Sequence, residues 1–329
     1  MTSRILRLIL PVFLLASALA PPARSADQEA PLPVLETFVV TGEQPGPALW
    51  KVTRKDHTLW ILPTYGPLPA GLVWKSRQVE EVIRNSQEVY AQRLIPVQAP
   101  DNLKSRVRML KAVSNIDGKI LAEVMPVDLH QRFVQLSERY AGSSAAFERF
   151  RPFQASDMLQ DAALKTLQLT SDGGVYDTVH RLADRYHVKF LAFETLRSSA
   201  WDRMVSDLEK TPRAADMACA AARMDRLESD LRDAVERANA WAKGDLSQLR
   251  RDVGVLNGGA DMAACRQFFQ HLKFVRQTLR TLQKKSYSTY ERALRKNRST
   301  LVVISIGDLF DADGLLARLR KDGYQIDEP

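Results

Sequence analysis

Few residues in this chain have the type and spacing to do chemistry. There are 5 histidines: His57, His130, His180, His187 and His271. His180, Asp184 and His187 fall at i, i+4 and i+7, so a helix would carry them on one face. Such a face can hold a divalent metal; the plainer reading is a solvated helix surface. Asp308 stands near Asp311 and Asp313 in a Gly-containing turn. There a carboxylate can bind a hard cation or serve as a turn or capping acceptor. Glu194 follows the apolar run Val188–Phe193, at the strand end where α/β proteins place functional groups. It reads as a pocket carboxylate or a structural acceptor at the end of a buried strand. The sequence holds no Gly-rich phosphate loop, no Ser-His-Asp arrangement and no Cys-x-x-Cys pair.

The elements that must position these residues follow from periodicity. From Leu49 to Gln92 the chain reads as a strand at Trp50–Val52, a second strand at Thr58–Leu62 and a turn at Pro63–Pro67. A helix with Val79, Val82 and Ile83 on its inner face follows, Ser76 being its expected N-cap. A strand at Glu88–Gln92 completes the unit. A shorter echo closes the chain: a strand from Ser299, a Gly-containing turn, a helix with Leu315, Leu316 and Leu319, and a last strand. Between the two units the pattern is helical. A helix from Val127 to Tyr140 ends at Ala141-Gly142-Ser143, and Pro152 takes the N1 position of the next. Gly173-Gly174 opens a helix with Val175, Val179, Leu182 and Ala183 that runs into the strand Val188–Phe193. The apolar series Met217 to Trp241 predicts one long helix over 212–242, stopped by Gly244, with Asp245 capping the next. A helix over 263–283 leads to a basic one ending at Arg298. The expected fold is α+β: a mixed central sheet built from two strand–turn–helix–strand units at the chain ends, covered by a large helical middle section.

Composition sets the class. At 45% hydrophobic and 26% charged over 329 residues, the chain is globular and long enough for a core without staples. Arg4 and Arg7 precede an apolar run from Leu8 to Ala20, the layout of a secretory signal peptide. A cut after Ala20 would leave Pro21 at the scissile bond, so cleavage after Ser25 is expected. Uncleaved, the segment would be an N-terminal anchor. The organisation expected is a signal peptide at 1–25, a Pro-rich linker at 26–47 whose Leu35–Val40 can add an edge strand, and a single domain over 48–329. No later stretch has the apolar length of a transmembrane span. The expected location is therefore exported, periplasmic or secreted, and Cys219 and Cys265 read as one disulfide or as two separate buried thiols. Of the net charge of +8, Arg4, Arg7 and Arg24 supply three, and what remains does not imply nucleic acid. A basic run from Lys273 to Arg298 is a solvated face or a surface for an anionic polymer or membrane headgroups.

Five stretches in order resemble the TraB/PrgY/GumN family, which includes the Tiki-type metalloproteases, and its exported GumN-like branch in particular. They are LWKVTRKDHTLWIL, LPAGLVWKSRQVEEVIRNSQEVYAQ, YDTVHRLADRYHVKFLAFET, WAKGDLSQL and DGLLARLRKDGYQI, spanning Leu49 to Asp327. The resemblance implies two G-x-x-H motifs, each at a strand end, and a glutamate after the first unit. Two imidazoles would hold a divalent metal between the units, the metal would lower the pKa of a bound water, and the carboxylate would take its proton.

This chain departs from that pattern at five positions. Pro63 and Gly66 stand for Gly and His of the first motif, Ser305 and Asp308 for those of the second, and Gln92 for the glutamate. The family's Arg-Asn pair finds Lys284-Lys285. On the same resemblance, Thr64 and Tyr65 would line one crevice with Gln92, Glu194 and Asp308. The first expectation is a catalytically degenerate protein, needing no cofactor, that keeps the cleft to bind a protein, a peptide or an anionic envelope glycan. The second is a metal-dependent peptidase or other hydrolase with substituted ligands, Asp308 and Glu194, holding manganese or cobalt. The third is an accessory protein of envelope polysaccharide machinery.

Overall fold

The computed structural model describes residues 46–91, 102–192, 199–251 and 263–329. The expected signal segment and most of the expected linker, Leu35–Val40 included, and the positions Gln92 and Glu194 lie outside the described residues. The main sheet has six strands in the order β6-β4-β7-β2-β1-β8. They are β1 (Trp50–Arg54), β2 (His57–Thr64), β4 (Glu88–Ala91), β6 (Lys189–Ala192), β7 (Ser299–Ser305) and β8 (Gln325–Asp327). β6, β4, β7 and β2 run parallel; β1 is antiparallel to both β2 and β8. A two-stranded ladder, β3 (Leu68–Pro69) with β5 (Leu169–Thr170), stands beside it.

Period-two alternation sorts the side chains to two faces. Leu62, Val89, Leu301 and Val303 pack on α1 (Arg77–Arg84), α6 (Val175–Arg185) and α9 (Ala234–Lys243), through Val79, Ile83, Val179, Leu182 and Trp241. Trp50, Val52, Leu59, Ile61, Val302 and Ile304 pack on α12 (Lys273–Lys296), α13 (Ile306–Phe310) and α14 (Leu315–Lys321), through Tyr290, Leu294, Leu309 and Leu316. β7 is covered on both sides, which is why Leu301–Ile304 reads as an unbroken apolar run.

The helical middle has its own core. α4 (Val127–Ala141), α5 (Pro152–Thr166) and α8 (Arg213–Arg232) close around Phe133, Leu136, Leu159, Met224 and Leu227. α4 ends with Gly142 at φ 75°, in the left-handed region that Gly adopts without a Cβ penalty. A buried pair stitches this layer: Arg151 Nε donates to Asp216 Oδ2 at 2.7 Å, and its Nη1 to the Leu208 carbonyl at 2.7 Å. The described cysteines form a disulfide, Cys219–Cys265, between α8 and α11 (Ala263–His271), beside Phe268 stacked on Phe153 at 4.1 Å.

Several expectations need correction. The helix expected over 212–242 is two helices, broken at Asp233. Met224, Leu227, Leu231 and Ala234 face the helical core, whereas Ala238, Trp241 and Ala242 face the sheet, so one straight helix could not serve both. Arg237 Nη2 donates to the Asp230 carbonyl at 2.6 Å beside the break. The later break falls at Leu272, so the basic helix is longer than its expected start near 283. Ser76 takes the N-cap position, but in αR geometry with no side-chain cap bond; its carbonyl accepts from Glu80 N–H. β6 is an edge strand with Lys189 and Ala192 exposed, whereas a buried strand was expected. The Gly-containing turn after β7 is the short helix α13.

Candidate functional site

The four parallel strands end on one edge of the sheet. Thr64 pairs with Ser305, and Ala91 with both Val303 and Ala192. The strands that lead to Gln92 and Glu194 therefore stop beside those that lead to Tyr65 and Asp308. This is the crevice edge of an open parallel sheet, where ligand sites are found in α/β folds.

The first junction is filled. The Pro63 carbonyl accepts from Trp241 Nε1 at 2.8 Å, and Trp241 meets Trp74 edge-on at 5.3 Å. Thr64 is buried and its Oγ1 donates to the Ile304 carbonyl at 3.3 Å. Tyr65 is buried in the core beneath α9, with the Arg237 guanidinium 5.4 Å from its ring centroid. Gly66 is the tightest point: a Cβ there would lie 2.0 Å from the Ser171 carbonyl oxygen. The small ladder causes this, because pairing Leu68 with Thr170 brings the following Ser171 onto Gly66.

The second junction is open by contrast. Ser305 caps α13, its Oγ accepting from Asp308 N–H at 3.2 Å. The half-buried Asp308 lines a cavity of about 20 Å³, room for about one water. Ser286, Tyr287 and Tyr290 of α12 and Asp313, Gly314 and Arg318 share its wall. Burial, then the nearby Asp311 charge, push the Asp308 carboxyl above its ordinary range, and the Ser305 contact only partly offsets them. Burial also raises the Tyr290 phenol well above its ordinary value, with Tyr176 and then Asp308 adding to it.

Thr64 and Asp308 are thus brought to one edge, but Tyr65 and Asp308 line different spaces. Tyr65 belongs to the core under α1, α6 and α9, and Asp308 to the cavity under α12. Gln92 and Glu194 are not among the described residues, so their side chains are not placed. The histidines lie elsewhere. His57 opens β2, near the Leu294 carbonyl at 3.0 Å, and His187 precedes β6, so both sit at the opposite ends of their strands. His180 is 3.7 Å from Asp184 and tilts against Phe190 at 4.5 Å. His187 follows the end of α6 with φ at 54°, so the expected three-residue helical face is not formed. His130 meets Glu148 at 3.0 Å and His271 ends α11. Lys284 and Lys285 are exposed on α12.

A divalent centre needs several donors converging on one point. Among the described residues no three His, Cys, Asp or Glu side chains do so. With Gly66 closed and no such convergence among them, the described residues do not fit the metal centre that the resemblance implies.

Sequence reasoning placed Trp241 only on an apolar helix face and passed over Tyr290 and Ser171. A signal existed for Tyr290: Tyr287, Tyr290 and Leu294 mark an apolar stripe inside the basic run. A second missed feature is Glu88, whose Oε2 accepts from Asn297 Nδ2 at 2.8 Å and Tyr90 at 3.0 Å. Burial would raise its pKa, but the bonds from Asn297, Tyr90 and Lys189 outweigh it and lower the value, while the Tyr90 phenol is pushed up to about 12, by burial first and then by Glu88.

A mixed sheet with parallel strand ends opening on one edge, flanked by helices on both faces and extended by a helical layer, defines the class. The TraB/PrgY/gumN family model matches residues 48–328, and the chain belongs to that family. No curated protein and no solved structure gives a match.

Proposed function

We propose that this chain is an exported, catalytically degenerate member of its family that acts in the cell envelope by binding. The observation that carries this reading is the closure of Gly66. The position where the resemblance puts an imidazole has no side chain and no room for one, because Ser171 backbone fills it. Export rests on the basic-then-apolar leader, with Arg4 and Arg7 before Leu8–Ala20 and cleavage after Ser25. A disulfide between Cys219 and Cys265 fits an oxidising compartment. Candidate ligands are a protein, a peptide or an anionic envelope glycan. For the last, the exposed Arg292, Arg295 and Arg298 offer a cationic surface.

The chain starting at Ala26 tests this reading. It is loaded with manganese or cobalt, dialysed, and assayed for bound metal and peptide cleavage. No stoichiometric metal and no cleavage are expected. Stoichiometric metal that disappears in Asp308→Ala would overturn degeneracy and favour the hydrolase with substituted ligands. For the glycan, retention on an anionic polymer should fall when Arg292, Arg295 and Arg298 are reversed to Glu; unchanged retention removes the basic face from the account.

A further inference from the structure

Exposed apolar side chains are concentrated in one part of the chain. Nine large apolar residues are exposed among the described ones, and six of them lie between Leu103 and Val127. Three belong to α2 (Leu103–Val113): Leu103 at 75%, Val107 at 42% and Leu110 at 57% exposure. Their spacing of four and three puts them within about 60° of arc on an α-helix. Ile116 and Ile120, also exposed, follow the last turn.

The opposite side of α2 explains the inversion. A surface helix normally turns its apolar stripe inward. Here the inward side is tied by polar contacts. Arg108 Nε and Nη2 donate to the two carboxylate oxygens of Glu209, at 3.0 and 2.7 Å, at the end of α7 (Ser199–Glu209). Ser105 Oγ reaches Asp202 at 3.5 Å on the same helix, and Ala112 is the buried small residue of that side. The helix is fixed to the fold by charge and presents its apolar stripe to solvent.

Cations border the stripe. Lys104 and Lys111 lie along one side and Arg106 along the other, all exposed, and α2 contains no acidic residue. Long cationic side chains flanking an apolar face are suited to the water–lipid boundary, where their stems lie along the acyl surface and their charges reach the headgroups. The mode is in-plane, since no described helix is long and apolar enough to cross a membrane. We propose that α2 is a docking surface for an anionic phospholipid membrane, with Leu103, Val107 and Leu110 entering the interface while Lys104 and Lys111 meet lipid phosphates. Lysines near a negatively charged leaflet attract it electrostatically, and the apolar stripe supplies the salt-insensitive part of binding. A protein partner would more often present a complementary acidic or apolar groove to such a helix; the cations on both flanks favour a flat anionic surface.

Vesicle flotation tests this with the chain starting at Ala26, which keeps every described element. Phosphatidylcholine vesicles with and without about 30 mol% phosphatidylglycerol are the probes. Binding is expected only to the anionic vesicles and to weaken as salt is raised. Leu103→Ser, Val107→Ser and Leu110→Ser combined should weaken it about tenfold or more, with a thermal melt lowered only slightly because the three are partly exposed to water. Lys104→Glu with Lys111→Glu should weaken it by a similar factor while leaving the stripe intact, and it decides the matter if the triple variant misfolds. No binding to anionic vesicles at low salt overturns the proposal, as does equal binding by the variants. Concentration-dependent self-association that the triple variant abolishes, without vesicle binding, would reassign the stripe to an interface between copies.

Discussion

The exits of β2 and β7 are adjacent, with Thr64 paired to Ser305, yet the residues that follow them are housed differently. After β2 the chain passes beneath α9. Tyr65 is buried there, Trp241 takes the Pro63 carbonyl and Ser171 blocks Gly66. After β7 it enters α13, and Asp308 turns to a water-sized cavity under α12. The residues after the two strand ends differ in surroundings: Tyr65 lies in a closed core, while Asp308 lines a small cavity. The lesson is that the proposed degeneracy would rest on more than exchanged side chains: at the first junction, backbone fills the space a side chain at Gly66 would need.

The largest expected effect comes from reopening the filled junction. Gly66→His would restore the residue type the family pattern places there. A Cβ 2.0 Å from a backbone oxygen cannot be relieved by a rotamer change, so the β3–β5 ladder must move. The expected cost is about 3 kcal/mol or more, read as a lower urea midpoint or as loss of folded protein. Gly66→Ala should suffer most of the same loss, which separates the steric cause from any property of imidazole. A fully stable Gly66→His that gains manganese or cobalt would break the comparison, since the junction would then be open after all.

The second expected effect is smaller and lies at the open junction. Ser305 Oγ accepts from Asp308 N–H and fixes how α13 leaves β7. Ser305→Ala should cost about 1 kcal/mol, measured by chemical denaturation. It should also change the surroundings of Tyr290, which lines the same cavity. The same substitution should affect Trp241 less, because that indole is held by the Pro63 carbonyl at the end of β2; an equal shift in both aromatic signals would mean that the two junctions act as one unit.

Much of the frame could be read from the sequence because it rests on local signals. Trp50 and Val52 alternate with polar neighbours, Gly142 stops α4, and Pro152 starts α5, as expected. The cysteine pairing was one of two readings, and it is the one formed. What could not be read depends on contacts between distant residues. Nothing near Gly66 announces Ser171, and strand periodicity does not say what surrounds the chain after the last paired residue. The division of the 212–242 helix was hidden because its apolar spacing continues while the partner changes from helices to sheet. α2 and α7 drew no prediction, although Leu103, Val107 and Leu110 have helical spacing. Gln92 and Glu194 are named by resemblance alone and lie outside the described residues, so the site is legible at Thr64, Tyr65, Gly66, Ser305 and Asp308 only.

The smallest effect should be electrostatic and should tell what the cavity holds. Burial and Asp311 raise the Asp308 carboxyl above its usual value, so the folded chain binds that proton more tightly than the unfolded chain does. Folding therefore loses stability as pH rises from the unfolded value, near 3.8, through the folded one. Asp308→Asn, which cannot ionise, should melt slightly higher than the parent at pH 7, and the gap should narrow as pH is lowered through the folded pKa. Paired melts at about pH 7 and about pH 4 measure it. The reverse result, a variant less stable at pH 7, would mean that the ionised carboxylate is held by a cation or a strong donor within the cavity. Asp308 would then be a working ligand on the α12 side, and the contrast between a filled junction and an open one would become a contrast between a closed site and a relocated one.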